Sequence, residues 1–272
     1  MTVHQNLQPY VDAWTHSIEA ISELCAPLSE GEWNRATSCP GWSVRDIVSH
    51  VIGVECELLG DPRPIHTLPR DLRHVVDERS RYTEVPVDVR RCHTGPEMTA
   101  ELEYTIIRRS RQLRNETRGP EATVRGPMGR EVTLERLLTL RAIDVWVHEQ
   151  DVRRALGRPG NLDSPGGQIT REWLVTTLPK VVAKDAGAAP NSAVVFDVHG
   201  AIEFMRTVRV DAKGWGSVDG RVSLGPAVTL SMDWETYFQL QCGRVRPGAA
   251  QVKVEGDQQL GQAIMAAMAV TP

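Results

Sequence analysis

The sequence predicts an α+β protein of two domains, in which a helical bundle comes first and a small mixed domain follows. In the first part of the chain, apolar residues recur three and four positions apart, as on the buried face of a helix. Later they form short runs rich in valine, which is typical of strands. A small, polar segment separates the two patterns. We therefore expect a helical domain over 1–183, a linker over 184–192 and an α+β domain over 193–272.

The first two helices are predicted from their apolar stripes and from the signals at their ends. Residues 7–24 carry six apolar side chains at helical spacing, so this segment is predicted to pack in a bundle. The next helix is predicted to begin after Ser43, because Ser43 and Asp46 have the spacing of a capping box. Gly60 is predicted to end it.

Residues 62–96 are predicted to form a long polar connection. The segment contains five prolines, and its composition favours at most a short helix over 72–79. Unstructured connections of this length inside a domain are usually functional lids or disordered segments.

Three more helices and a hairpin complete the predicted first domain. Apolar spacing predicts helices over 98–115, 133–156 and 167–182. Between the first two of these, residues 122–134 place a glycine-centred turn between two short extended pieces, which predicts a small hairpin.

The last part of the chain is predicted to be a compact α+β module of about eighty residues, which is small for a domain but feasible. Its predicted strands are 193–200, 205–212, 221–225, 227–232 and 250–256. Its predicted helices are 234–242 and 257–268.

Composition excludes several classes of protein. A net charge of -4 argues against a broad nucleic-acid surface. No apolar run approaches the roughly 20 residues of a membrane helix, and the first residues lack the layout of a signal peptide. The five cysteines form no CxxC pair, which suits reduced thiols. We expect a cytoplasmic protein without a nucleic-acid or membrane partner.

Two helices carry residues that could bind a metal. Asp144 and His148 lie four apart in an apolar helix and so share a face. Such a pair could satisfy its polar atoms internally or with Arg141. However, His50 lies in the apolar part of the second helix, and two imidazoles with one carboxylate match the ligands of catalytic zinc. Helices of a bundle can hold a metal between them in this way, and other divalent ions also accept these ligands. Both interpretations stay open.

Three segments resemble the mycothiol-dependent maleylpyruvate isomerase family. They are "CPGWSVRDIVSHVIG", "GPMGREVTL" and "RAIDVWVHEQDVRRALGRP", and they occur in the family's order. The tail beginning "VTLSMDWETYFQLQCGRVRPG" resembles the family's C-terminal domain, so the resemblance covers nearly the whole chain. It implies a DinB-like four-helix bundle that binds metal, followed by a small domain related to sterol carrier proteins.

The resemblance also implies roles for individual residues. The family's zinc ligands carry over to His50, Asp144 and His148, although the isomerase itself has glutamate where this chain has Asp144. A shorter carboxylate can still bind zinc if the geometry adjusts by about one methylene. Arg244, in "CGR", corresponds to the arginine that the family's C-terminal domain contributes to the active site, where it would hold a carboxylate of substrate or cofactor.

The function implied is that of a zinc-dependent enzyme with mycothiol as its thiol cosubstrate. Metal coordination favours the thiolate, which could attack an electrophilic small molecule by S-transfer or by addition and elimination. Two alternatives remain: a hydrolase that uses zinc-bound water, and a non-catalytic protein that binds a metal and a small ligand. The chain is expected to be a monomer or a homodimer.

Several neighbouring residues have competing interpretations. Asp151 could accept a hydrogen bond from His148, or it could be a solvated helix charge or form a salt bridge with Arg154. Glu149 could act as a general base for a zinc-bound water, but a solvated or structural role is predicted for it. Cys39 is predicted to be structural, and Trp42 is predicted to pack at the helix start. A solvated surface is predicted for seven arginines of the long connection and the third helix: Arg79, Arg81, Arg90, Arg91, Arg108, Arg109 and Arg111.

Overall fold

The computed structural model describes residues 3–221 and 225–271, and the chain divides into two units, Met1–Ile169 and Thr170–Pro272. The first unit contains helices and one small hairpin, while the second contains a five-stranded sheet with helices. The predicted α+β class is therefore confirmed. Helix α7, Pro165–Lys180, crosses the division, and residues 184–192 lie inside the second unit.

Among the described residues, six α-helices lie wholly within the first unit. They are α1 (Gln8–Cys25), α2 (Glu30–Trp33), α3 (Val44–Leu58), α4 (Glu78–Asp88), α5 (Gly95–Arg114) and α6 (Leu134–Leu156). Helix α1 packs against α5 and α6, and α3 packs against α4, α5 and α6. Their shared core consists of buried apolar side chains that include Trp14, Ile18, Ile47, Ile52, Leu102 and Val145.

Local signals set the ends of the helices that carry the candidate metal ligands. At the start of α3, the Ser43 hydroxyl accepts from the Asp46 N–H, and the Asp46 carboxylate accepts from the Ser43 N–H. The predicted capping box is therefore present. The Thr133 side chain caps α6 by accepting from the Arg136 N–H. Gly157 ends α6 at φ 66°, a left-handed conformation that glycine adopts without steric strain.

The long polar connection contains a helix that the sequence analysis placed wrongly. The predicted short helix over 72–79 is absent from the described residues, and α4 begins only at Glu78, after an Asp77 cap. Pro86 lies inside α4, although a helical proline leaves the carbonyl four residues earlier without its usual donor. That carbonyl belongs to Tyr82, and Arg63 Nη2 donates to it at 2.9 Å. The short helix α2 was also not predicted.

The predicted hairpin is present between α5 and α6. Strands β1 (Thr123–Arg125) and β2 (Glu131–Thr133) pair antiparallel, and the turn between them includes Met128 at φ 60°. The Met128 N–H donates to Tyr82 Oη at 2.9 Å, which ties the hairpin to α4.

In the part of the second unit that the structure describes, five strands form one sheet in the order β5-β4-β3-β6-β7. They are β3 (Ala193–His199), β4 (Phe204–Val210), β5 (Gly216–Asp219), β6 (Val228–Asp233) and β7 (Lys253–Gly256), and only the β3–β6 pairing among them is parallel. The predicted strand 221–225 falls largely on residues 222–224, which lie outside the described residues. The short, half-exposed β5 was not predicted.

The sheet of the second unit carries an aromatic core. Helices α8 (Trp234–Gln241) and α9 (Gln258–Ala267) follow β6 and β7. The Tyr237 ring of α8 lies 5.2 Å from Phe204 and 6.5 Å from Phe196, measured between ring centroids. These rings are buried, as are the consecutive apolar residues at the start of β3 and the alternating apolar residues of β6. Within the described ranges of both units, no helix has the length and apolar content to cross a membrane.

Candidate metal centre

The fold brings together the three side chains that the sequence analysis singled out as ligands. His50 lies on α3, while Asp144 and His148 lie one turn apart on α6. His50 Nε2 is 3.6 Å from Asp144 Oδ2, and His148 Nε2 is 3.7 Å from Asp144 Oδ1. The two imidazole centroids are 4.9 Å apart. One ligand atom from each residue lies within 4.8 Å of the others, close enough for a single ion to bind all three.

Access to this cluster is one-sided. His50 and His148 are buried, with 7 % and 6 % of their surface exposed, whereas the Asp144 side chain is 33 % exposed. The Trp42 ring lies beside both histidines, at 5.2 Å from His50 and 6.3 Å from His148 between centroids. The Trp42 indole therefore covers one side of the cluster, and the Asp144 carboxylate is the part that is exposed to solvent.

Electrostatics keep His50 and Asp144 in the protonation states that a metal requires. Burial lowers the pKa of His50, which favours the neutral imidazole. Burial opposes the charge of Asp144, but Arg141 and the two histidines outweigh it and hold the pKa of that carboxyl well below its usual range. Metal ligands must be neutral imidazoles and ionised carboxylates, so no proton has to leave these two residues at neutral pH.

Asp151 fixes the orientation of His148. Its Oδ2 atom lies 3.1 Å from His148 Nδ1, and Asp151 is buried, so the solvated-charge interpretation was wrong. With Nδ1 as the donor, the Nε2 lone pair points toward Asp144. The Cys39 thiol donates to the same Asp151 oxygen at 3.2 Å. Cys39, His148 and Asp151 could also hold an ion, but these hydrogen bonds already engage the atoms that would bind it.

The donor set fits a divalent metal ion. Two nitrogens and one carboxylate oxygen converge from two helices, and catalytic zinc sites use three protein ligands of these types. His50 Nδ1 is buried and has no hydrogen-bond partner among the described residues. Nδ1 is not the nitrogen that faces Asp144, so a buried water, rather than the ion, is the partner to expect for it.

Helix α4 holds the Trp42 ring in place beside the two histidines. This role of α4 was not predicted from the sequence. Glu84 of α4 is buried, and its Oε2 atom accepts from Trp42 Nε1 at 2.9 Å. His74 Nε2 lies 2.9 Å from the same oxygen, and Arg91 Nη2 lies 2.6 Å from Oε1. The sequence carries no periodic signal for these contacts because they join residues of a polar helix and a connection.

A buried ion cluster behind Asp144 was also missed. Glu55 of α3 is fully buried and pairs with Arg109 of α5 and Arg141 of α6. The predicted solvated position was therefore wrong for Arg109, and also for Arg90, which is buried and paired with Glu101. An acidic residue inside the apolar run of α3 is the signal that could have revealed the cluster, because buried charges require partners.

Two further residues weighed from the sequence are Glu149 and Arg244. Glu149 is buried on α6 and accepts from Arg153 Nε at 2.7 Å and Asn161 Nδ2 at 2.8 Å, which is a structural role. Burial raises the pKa of its carboxyl. Arg244 belongs to the second unit, is partly buried, and donates from Nη1 to the Cys242 carbonyl at 2.7 Å. Its catalytic role stays a prediction.

A cavity of about 250 Å³ lies beside α3, and none of the three candidate ligands lines it. Gly53 and Glu57, one and two turns after His50, are on its wall. Its arginines pair with carboxylates, as Arg108 does with Asp61 at 2.6 Å. The charges of its lining therefore balance, and the candidate metal ligands lie elsewhere.

Comparison with known proteins identifies the family. Residues 14–153 match the model of the mycothiol maleylpyruvate isomerase N-terminal domain, and residues 168–263 match that of the MDMPI C-terminal domain. No curated protein matches the chain.

Two solved structures share the fold. The crystal structure of the mycothiol-dependent maleylpyruvate isomerase has a TM-score of 0.58 and 14% identity, over 94% of this chain and 96% of that one. A histidine-to-alanine mutant of that enzyme has a TM-score of 0.55 and 14% identity, over 93% and 96%. With both domain models matched in order over most of its length, the chain belongs to the mycothiol-dependent maleylpyruvate isomerase family.

Proposed function

We propose that this chain is a metal-dependent enzyme that uses mycothiol as a thiol cosubstrate and acts on an electrophilic small molecule. Isomerisation of an alkene such as maleylpyruvate is the first reaction to test. The observation that carries the proposal is the convergence of His50, Asp144 and His148 within 4.8 Å in a chain of this family.

The ligand set defines the chemistry that an ion would supply. A divalent ion held by these residues lowers the pKa of a coordinated thiol and so favours the nucleophilic thiolate near neutral pH. Zinc is our first choice because two imidazoles and one carboxylate are frequent catalytic zinc ligands. The same donors accept other divalent metals, so the elemental composition is part of the test.

The protein side chains have separate tasks in this proposal. His50 and Asp144 present a neutral and an anionic ligand, and Asp151 holds His148 in the tautomer with Nε2 free. Trp42 covers one side of the cluster, while the exposed edge at Asp144 admits a small molecule. From the family resemblance we assign Arg244 to a carboxylate of substrate or cofactor.

Thiolate chemistry accounts for isomerisation without any net redox change. The sulfur forms a C–S bond to one alkene carbon, and the π electrons move onto the conjugated carbonyl. Rotation about the resulting single bond precedes elimination, in which the C–S bond breaks and the alkene re-forms. The thiol is regenerated. In S-transfer, by contrast, a leaving group departs with the electron pair and the C–S bond remains.

The proposal also includes the expectations about location and assembly. An enzyme whose cosubstrate is a low-molecular-weight thiol of the cell interior would act in the cytoplasm. We propose that it does so as a monomer or homodimer, without nucleic-acid or membrane partners.

The test begins with metal content, measured by elemental analysis on untagged protein. His148→Ala is compared with His16→Ala, which removes an exposed histidine of α1 and serves as the matched control. We expect close to one zinc per chain in the wild type and in His16→Ala, and little in His148→Ala. Maleylpyruvate turnover should then require both mycothiol and the metal.

Each contrary result removes a defined part of the proposal. Wild-type protein that retains no metal after zinc is offered would exclude the activated thiolate and favour a small-ligand binder. Metal that persists in His148→Ala would place the ion elsewhere. Ester or amide hydrolysis without any thiol would favour the hydrolase alternative.

A further inference from the structure

Glu55 lies at the centre of the helical bundle and is fully buried. Its Oε1 atom accepts from Arg141 Nη2 at 2.7 Å, from Arg141 Nε at 3.1 Å and from Trp14 Nε1 at 2.9 Å. Its Oε2 atom accepts from Arg109 Nε at 2.9 Å. Four donors from three helices therefore hold this carboxylate, and charge-assisted hydrogen bonds of this kind are strong away from water.

Arg141 extends this cluster to the candidate metal centre. Two of its nitrogens are engaged by Glu55, and the third, Nη1, donates to Asp144 Oδ2 at 2.6 Å. A guanidinium is a rigid planar fork, so fixing one edge on Glu55 also fixes where the other edge points. The position of Asp144 Oδ2 is therefore set from the interior of the bundle.

Asp144 is the ligand that most needs such support. It is the most exposed of the three, and a carboxylate at a solvent edge can rotate away from the histidines. With Oδ2 held by Arg141, Oδ1 faces His148 Nε2 at 3.7 Å. Oδ2 also lies 3.6 Å from His50 Nε2, so both oxygens face the cluster, and Oδ1 is the one that Arg141 leaves free for the ion.

We propose that Arg141, held by Glu55, is the positioning residue of the metal centre and orients Asp144 for an incoming divalent cation. The inference rests on the proposed function, because it concerns the same ligands. Groups that orient a ligand typically contribute ten- to hundred-fold to metal affinity.

The charges of the cluster answer an objection to this role. The positive charge of Arg141 repels a metal ion bound at Asp144. Arg141 could therefore compete with the ion for that carboxylate and have no positioning role. However, Glu55 and Asp144 carry two negative charges, and Arg109 and Arg141 carry two positive ones, so the cluster is neutral before an ion binds. The negative charge of Glu55 offsets the electrostatic repulsion between Arg141 and the ion. The hydrogen bond from Arg141 still orients the Asp144 carboxylate.

Two matched substitutions separate positioning from structural support. Arg141→Lys and Arg109→Lys both keep a positive charge beside Glu55, and both remove a buried guanidinium. Only Arg141→Lys removes the fork that joins Glu55 to Asp144, because a single ammonium cannot reproduce that rigid geometry.

The experiment measures zinc affinity by competition with a chromophoric chelator, and it measures thermal unfolding of each metal-free variant. We expect Arg141→Lys to bind zinc about ten- to hundred-fold more weakly than wild type. Arg109→Lys should stay within about twofold, even where both variants lose similar thermal stability. If Arg141→Lys does not fold, Arg141→Gln compared with Arg109→Gln provides the same contrast.

The possible outcomes distinguish this inference from the proposed function. Equal losses of affinity in the two variants would overturn the positioning role, because they would show a structural effect alone. Unchanged or stronger binding by Arg141→Lys would identify Arg141 as a competitor of the ion and also overturn it. If wild-type protein binds no zinc, the proposed function fails and this inference fails with it.

Discussion

The two units of this protein bury different kinds of side chain. Among the described residues, the first unit buries eleven acidic, basic or histidine side chains, whereas the second buries none. The second unit instead encloses aromatic rings and aliphatic strand residues around Phe196, Tyr237 and Phe238. Buried charges are costly unless they are paired and contribute little net stability. The difference indicates that the first unit is built around a chemical site and the second around a conventional core.

The largest effect should come from removing the central buried carboxylate. Glu55→Ala leaves Arg109 and Arg141 buried without their shared anion, which should cost about 3–5 kcal/mol in the free energy of unfolding. Denaturant titration followed by circular dichroism measures this loss. A loss under about 1 kcal/mol would contradict the idea that the cluster is tightly coupled.

A core truncation in the second unit should give a comparable loss of a different kind. Leu230 of β6 is fully buried, so Leu230→Ala should cost about 2–5 kcal/mol through lost burial and an unfilled cavity. This truncation leaves no charged group without its partner. The zinc affinity of the folded protein should therefore stay unchanged, and competition with a chelator measures it. A weaker zinc affinity would show that the core of the second unit affects metal binding in the first.

Acid should weaken the first unit through His50. Burial lowers the pKa of His50 in the folded protein, so the unfolded chain binds more protons. The stabilisation is therefore present above the ordinary histidine value of 6.5 and is lost as pH falls below it. Asp144, whose pKa is also lowered, adds a loss of the same sign at more acidic pH. Glu149, whose pKa burial raises, acts in the opposite direction.

His50→Asn isolates the contribution of this histidine. In metal-free protein, the free energy of unfolding of the wild type should fall between about pH 7 and about pH 5. The slope should be shallower in His50→Asn, whereas Glu149 contributes equally to both proteins. Parallel slopes would show that His50 does not titrate differently in the two states.

The smallest effects should be equal in the two units. Ser43→Ala removes the cap of α3, and Asp233→Ala removes the cap of α8, where Asp233 Oδ1 accepts from the Thr236 N–H at 2.6 Å. Each should cost about 1 kcal/mol, because capping depends on local geometry rather than on the type of core. Urea titration of both variants checks this equality, and a loss several-fold larger for Ser43→Ala would show coupling between the cap and the metal centre.

Local patterns were sufficient to predict much of the first unit. Helical periodicity located the long helices, and the spacing of Asp144 and His148 placed both on one face of α6. The place of His50 in the apolar run of α3 singled it out as well, the family resemblance implied the same three ligands, and the structure brings all three side chains together. Whether Arg244 serves the same centre stays a prediction, since its partners within the second unit do not test that role.

The parts that escaped prediction depend on contacts between distant residues. Helix α4 tolerates Pro86 because Arg63, more than twenty residues earlier, supplies the missing donor. The cluster around Glu55 joins three helices and has no signature at short sequence spacing. Spacing along one helix shows which side chains share a face, whereas the partner across the core is set by tertiary packing.

The indole beside the two histidines makes the centre optically visible. Trp42 lies 5.2 Å from the His50 ring, so its emission should respond to what the imidazoles bind. A paramagnetic ion such as Co²⁺ would quench that emission at this range, whereas Zn²⁺ has a filled d shell and would leave it largely intact. Trp42 is one of seven tryptophans in the chain, so metal exchange can be followed in real time, without labelling, through the part of the emission that Trp42 contributes.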